Sequence, residues 1–268
     1  MNSISFISSI SQFMALVHRD IHMLKNRIWT YVINYGMIYP IVYTFCFAYL
    51  QTRIYFGPEN ITLRSTLFIG NILLVMLILI YKLTVETLLD LESHKFVAYL
   101  ANSSSCATVI VERIIFISIF SFLVLVPFYP FAKLLLGTQF DTTHAWWPGT
   151  FLVLLCSCWF CTSYCMCAMV YMPTTKALTN FWTRVNQPLF TFGGFWIPLA
   201  TLSSYSPVLG YLSYANPFIY ITEGLRRSLL ANPNFLNLYI CCSFLSLAGI
   251  ILTILAIYLF KKRLDCVK

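Results

Sequence analysis

Apolar residues occupy this chain in runs long enough to cross a bilayer, and polar residues collect between the runs. Six stretches, at approximately 28–50, 66–84, 109–136, 149–172, 182–203 and 236–260, each approach the ~20 residues that span a hydrocarbon core. Pro40, Pro127, Pro130, Pro188 and Pro198 fall inside them, as membrane helices tolerate. Residues 4–27 read differently. Phe6, Ile10, Phe13, Met14, Val17, Ile21 and Leu24 recur at steps of three and four, with Ser8, Gln12, Arg19, Asp20 and Lys25 largely off that stripe. An amphipathic helix with basic residues just before a span is expected to lie in the interface plane. The same pattern also suits a helix packed on protein.

The segment after the fifth stretch does not leave the membrane cleanly. From Pro207 to Leu230 it stays rich in Tyr, Leu, Ile and Phe, yet Gly210, Asn216-Pro217 and Gly224 break it, and Glu223, Arg226 and Arg227 lie near its end. Non-helical backbone at membrane depth survives only where protein or a water-filled cavity satisfies its polar groups. Two readings fit residues 207–230: a re-entrant helical hairpin, or an amphipathic loop at the interface. The expected fold is an all-α integral membrane protein. It has six transmembrane helices, an N-terminal amphipathic interface helix over 4–27, and a re-entrant hairpin before the last span, within one transmembrane domain over 1–268.

Composition agrees. Of 268 residues, 59% are hydrophobic and 10% charged, against roughly 25% charged in soluble domains, and the mean hydropathy is +0.78. The net charge of +8 does not imply a nucleic-acid partner, because the charges sit at the ends of apolar runs and follow membrane topology instead. Residues 1–18 contain no Lys or Arg, so the N-terminus lacks the basic start of a signal peptide. Twelve of the seventeen Lys and Arg residues fall on one side of the six-span topology. Only Arg53, Arg64, Lys133, Arg226 and Arg227 fall on the other. The positive-inside rule then places both termini in the cytoplasm and opens the 207–230 segment outward. Trp29 and Trp182 would mark one interface, Trp146 and Trp147 the other. Asn60-Ile61-Thr62, on the first outer loop, fits a glycosylation acceptor, a triplet common by chance.

Few residues invite chemistry. Five of the ten cysteines, Cys156, Cys158, Cys161, Cys165 and Cys167, share one apolar run without a nearby His. Packing accounts for them more simply than a metal or redox role, so no metal site is expected, and a membrane thiol enzyme is the rival reading. No Gly-x-x-x-x-Gly-Lys-Ser/Thr occurs, so ATP would be bound elsewhere. Glu223 can meet Arg226 or Arg227 on one helix face, as a structural staple or as a polar gate, since charges at membrane depth pair or line water. Tyr31, Tyr35, Tyr39, Tyr43 and Phe47 recur every four residues. On a straight helix each step of four drifts about 40°, which would wrap the series around the helix rather than line one wall.

Gly193-Gly194, Pro198, the hydrophobic segment, and then Asn216, Pro217, Tyr220, Glu223 and Arg226 in an Asn-Pro-x-x-Tyr-x-x-Glu-x-x-Arg spacing resemble the signature of type-2 ABC transporter permeases. These are membrane subunits of ATP-driven exporters of polysaccharides, drugs and lipids. The resemblance implies a half-transporter in the bacterial inner membrane, acting as a homodimer or with a similar permease, and lipid-embedded. It needs no cofactor of its own, because a separate ABC ATPase subunit binds the ATP. It also implies a coupling helix in the loop from Lys82 to Cys106, where Glu86, Leu89, Asp90, Glu92 and Phe96 are the candidate contacts. Gly194, Pro198, Asn216, Pro217, Tyr220, Glu223 and Arg226 become the hairpin or gate residues. The loop departs from the family pattern: the usual Arg and Gly-Thr ahead of Leu-Leu are missing, and Asn102 to Ser105 replaces the Pro-containing turn. The alternative function is an ATP-independent carrier or channel, which would require acidic residues mid-span; none lies centrally in the six runs.

Overall fold

The structure, a computed structural model, describes residues 2–51, 61–92, 106–137, 140, 143–172, 174–232 and 234–265. Among these the chain is helical, with no strand. α1 (Asn2–Lys25) precedes α2 (28–51), which begins as Ile28–Ile33 and carries wider π-type turns at Asn34–Ile38 and Thr44–Gln51. α3 is the long helix Ile61–Glu92. α4 (Cys106–Leu125) and α5 (Phe128–Leu136) are parted at Val126-Pro127, where the missing Pro N–H ends the ladder. α6 is Trp147–Tyr171. α7 (175–195) runs from Thr175–Phe181 through Trp182–Asn186 and Gln187–Phe190 to Thr191–Phe195. The short α8 (Leu199–Tyr205) and α9 (Pro207–Tyr214) lead to α10 (Pro217–Leu230) and α11 (Leu238–Asp265).

The bundle is assembled around α6, which packs against α11, α4, α3 and α10. Its buried face is rich in small side chains, Ser157, Cys158, Cys161, Ser163 and Cys165, and small residues let membrane helices approach closely. Cys158 Sγ lies 3.7 Å from Met76 Sδ on α3, which is a packing contact. Several polar side chains along these helices donate to backbone carbonyls. Ser157 donates to the Val153 carbonyl at 2.7 Å, Thr84 to the Ile80 carbonyl at 2.8 Å, and Asn71 to the Tyr43 carbonyl at 3.2 Å. One long-range cap closes the bundle: Arg263 on α11 donates to the carbonyls of Met169, Val170 and Met172 at 3.0–3.3 Å, satisfying the C-terminal end of α6.

Five helices among the described residues are long and apolar enough to cross a membrane: Ile28–Leu50, Ser65–Asp90, Ala107–Leu136, Trp147–Tyr171 and Leu238–Arg263. The architecture is an all-α membrane protein. The expected span at 182–203 differs. α7 starts earlier, carries Thr183, Arg184, Asn186 and Gln187 through its middle, and ends in a kink at Gly193 and Gly194. Its polar centre and early stop keep it from being a single apolar rod. The loop expected from Lys82 is helical as far as Glu92. Its remaining described residue, Cys106, already belongs to α4, and Phe96 lies outside the described residues, as does Asn60.

Candidate functional site: a buried ion pair behind a kinked helix

α10 starts at an Asn-Pro step. The Asn216 side chain accepts from the Phe218 N–H at 3.1 Å and Pro217 occupies the first helical position, the combination that favours a helix start. Asn216 also donates to the Leu189 carbonyl of α7 at 2.6 Å. Three turns of α10 are then almost wholly buried. Glu223 and Arg226 are both 0% exposed, and Arg226 Nη1 meets Glu223 Oε1 at 3.2 Å. The i,i+3 pairing therefore selects Arg226. Arg227 lies instead in a separate pocket with His144 and Trp146.

The pair binds three other elements. Glu223 Oε1 accepts the Leu199 N–H at 3.0 Å, capping the start of α8 just after Pro198. Arg226 Nη2 donates to the Gly194 carbonyl in the α7 kink and to the Thr66 carbonyl on α3 at 3.3 Å. Thr222, one residue before the acid, donates to the Gly193 carbonyl at 3.0 Å. Gly194 has φ +82°, a region that side-chain-bearing residues rarely enter, and a Cβ there would collide with Thr222 Oγ1. Across the kink, a Cβ on Gly70 of α3 would overlap the Phe195 carbonyl. Both glycines are thus required by how closely α3, α7 and α10 meet. Tyr220 faces away from the pair: it stacks on Phe244 of α11, with ring centroids 3.9 Å apart, and donates to the Tyr214 carbonyl at 3.0 Å.

A second polar cluster lies where α1 meets α3 and α4. Asp20 accepts from Arg19 at 2.7 and 2.8 Å and pairs with Arg113 at 2.9 Å. Arg113 reaches on to Asp90 at 3.4 Å. Glu86 accepts from Arg27 at 3.0 Å and from the Tyr31 hydroxyl at 2.6 Å. Asp20, expected off the apolar stripe, is 2% exposed. Helix α1 packs through Leu16 and Asp20, one turn apart, because the guanidinium of Arg113 gives the carboxylate a buried partner. Glu86 and Asp90, which could have formed a solvated face, are held by this chain's own arginines. Leu89 between them is 50% exposed. Glu92 lies at the last turn of α3. Buried Glu112 sits beside Asp20 in the first two turns of α4, at the helix end rather than mid-span.

A stack of rings joins the two clusters. Tyr31, Tyr35, Tyr39, Tyr43 and Phe47 contact one another in sequence at centroid distances of 5.9, 5.1, 5.5 and 5.5 Å. Phe47 then meets Trp196, beside the α7 kink, at 5.3 Å. The series does not wrap around the helix. A step of four overshoots one α-helical turn, whereas the wider i→i+5 turns of a π segment make the same step fall short. Alternating the two in α2 cancels the drift.

Of the expected hairpin or gate residues Gly194, Pro198, Asn216, Pro217, Tyr220, Glu223 and Arg226, the structure bonds the Glu223–Arg226 pair to Gly194 and to the residue after Pro198, sets Asn216-Pro217 at the start of the same helix, and turns Tyr220 towards α11. The sequence did not reveal Thr222, Gly70, the Thr66 carbonyl or Trp196. Of these only Gly70, a lone glycine inside an apolar run, left a readable mark.

No curated protein and no solved structure matches the chain at a significant level. One family model does match, that of the ABC-2 type transporter, over residues 11–230. The matched region takes in α1 from Ser11 onward, the cluster around α3 and the whole kink-and-ion-pair site through the last residue of α10, and on that extent the chain belongs to the ABC-2 type transporter membrane family.

Proposed function

We propose that the chain is the membrane-spanning half of an ATP-driven exporter. In this reading it dimerises, with a copy of itself or with a similar permease, to form the pathway. It docks a separate ATPase through residues 82–106, and it sits in a bacterial inner membrane with both termini cytoplasmic. The observation that carries the reading is the course of α3. One unbroken 32-residue helix holds the buried Arg226 through its Thr66 carbonyl and ends in the turns of Glu86, Leu89 and Asp90. At about 1.5 Å per residue it is long enough to carry a movement at the ATPase side to the kink of α7. The family match supports the transporter reading over a thiol enzyme, and the packing of Cys158, Cys161 and Cys165 inside the bundle core supports it further. The ion-coupled carrier gains little from Glu112, which lies at a helix end.

Because Glu86 and Asp90 are engaged within the chain, Leu89 is the described side chain best placed to meet the ATPase. Leu89→Asp is expected to weaken co-purification of the ATPase subunit by roughly thirtyfold, the effect of losing an interface hot spot of about 2 kcal/mol. The permease should still insert. Stoichiometric co-purification with full ATPase stimulation would move the docking site elsewhere.

A further inference from the structure

Helix α7 carries a polar face at membrane depth. It runs antiparallel beside α3. Thr179 Oγ1 lies 3.3 Å from the Tyr81 hydroxyl, Trp182 packs on Tyr81 with ring centroids 4.4 Å apart, and a Cβ on Gly70 would overlap the Phe195 carbonyl. Tyr81 and Gly70 both belong to the apolar span Ser65–Asp90, so the turns of α7 between Trp182 and Phe195 lie level with that span. Leu178, Asn186 and Phe190 are buried, and Asn186 accepts from the Tyr164 hydroxyl of α6 at 2.6 Å. Thr179, Asn180, Thr183, Arg184 and Gln187 are exposed. Thr179, Thr183 and Gln187 recur every four residues, and the π-type turn at Trp182–Asn186 keeps them in line, as in α2.

Acyl chains do not suit such a face. A charge inside a membrane bundle pairs with another or lines a water-filled space. Arg184 enters none of the ion pairs among the described residues, which leaves the water-filled space. The charge balance says what that space holds. Helix α7 contains Lys176 and Arg184 and no Asp or Glu. A second copy laid on this face about a two-fold axis would set like charges against each other, which disfavours a direct protein seal. An anion between the two faces would satisfy both, because a guanidinium pairs strongly with carboxylate or phosphate oxygens.

We propose that this face of α7 is a wall of the transport pathway and that Arg184 fits the pathway to a hydrophilic, anionic cargo, an inference that rests on the transporter reading above. The guanidinium holds the cargo's carboxylate or phosphate, while Thr183 and Gln187 meet its uncharged polar groups.

Cysteine accessibility tests this. Single cysteines at Thr183, at Gln187 and at Ile251, which is 56% exposed on the apolar face of α11, are placed in a cysteine-free chain in open membrane fragments. They are treated with hydrophilic methanethiosulfonates of either charge. Thr183→Cys and Gln187→Cys should react rapidly and Ile251→Cys slowly. Relative to a free thiol in solution, the sulfonate reagent should be favoured over the trimethylammonium reagent by about tenfold at both α7 positions. Arg184→Gln should erase that bias. Equal rates at all three positions, or no reaction at Thr183 and Gln187, would overturn the wall. A bias that is absent, reversed or unchanged in Arg184→Gln would overturn the anionic cargo. If the cysteine-free chain does not fold, phenylglyoxal modification of the native chain, read by peptide mass spectrometry, decides. Arg184 should then be modified and the enclosed Arg226 spared, and an unmodified Arg184 would overturn the wall. None of these reactions needs the ATPase. An intact anion bias without any co-purifying ATPase would therefore strike the ATP-driven reading and keep the wall, whereas a lost bias beside a co-purifying ATPase would strike this inference alone.

Discussion

Arg226 and Glu223 are each enclosed by protein, and their partners are peptide groups of the same chain: the Leu199 N–H and the carbonyls of Gly194 and Thr66. That arrangement favours a staple over a gate, because each bond joins α10 to another element rather than to a water-lined path. Removing one charge leaves the other buried, a change that costs about 3–5 kcal/mol when burial is complete. Glu223→Gln and Arg226→Gln should each lower the melting temperature sharply, and the double variant should recover much of the loss. Intact melting temperatures with failed transport in both single variants would assign the pair to a gate. Recovery should stay partial, because Glu223 also caps α8.

Among the elements, α2 owes its unusual course to its π-type turns, and those turns bring the rings into line. Tyr39 is stacked on both sides, against Tyr35 at 17° and Tyr43 at 21° between planes. Each aromatic pair contributes about 0.5–1.5 kcal/mol beyond area burial. Tyr39→Leu should therefore cost roughly 1–3 kcal/mol, while Tyr39→Phe should be close to neutral in the same unfolding measurement. Because neighbouring rings cover one another's faces, the stack is poorly suited to bind sugar faces and better suited to stiffen α2 between Glu86 and Trp196. An equal loss in both variants would show that the Tyr39 hydroxyl, not the stack, carries the stability.

At the scale of the molecule, the distribution of Lys and Arg predicts which ends face the cytoplasm. His144, just before α6, and Lys176, at the start of α7, are both exposed and should lie on opposite sides. In a chain freed of its ten cysteines, His144→Cys should react with a membrane-impermeant thiol reagent added to sealed cells. Lys176→Cys should react only after permeabilisation. The reverse pattern would invert the topology.

The sequence by itself determined the all-α membrane class, because apolar runs of sufficient length leave the backbone no other way to satisfy its hydrogen bonds in lipid. It also located the breaks at Gly193-Gly194, Pro198 and Asn216-Pro217, since backbone freedom and a missing N–H are local properties of those residues. It could name Glu223 with two possible arginines, because helical spacing limits the choice to near neighbours. Helical spacing left Arg226 and Arg227 both open, and the tertiary structure pairs Arg226, since that pairing depends on where the Gly194 and Thr66 carbonyls arrive from distant parts of the chain. It also turned Asp20 inward, because a carboxylate reads as surface until a buried Arg113 stands opposite. It aligned the rings of α2, because the width of a helical turn is set by packing on α3, α4 and α5 and leaves no mark in a four-residue repeat. And it cut the expected fifth span short, where the close approach of Gly70 to the Phe195 carbonyl fixes the bend that two glycines merely permit.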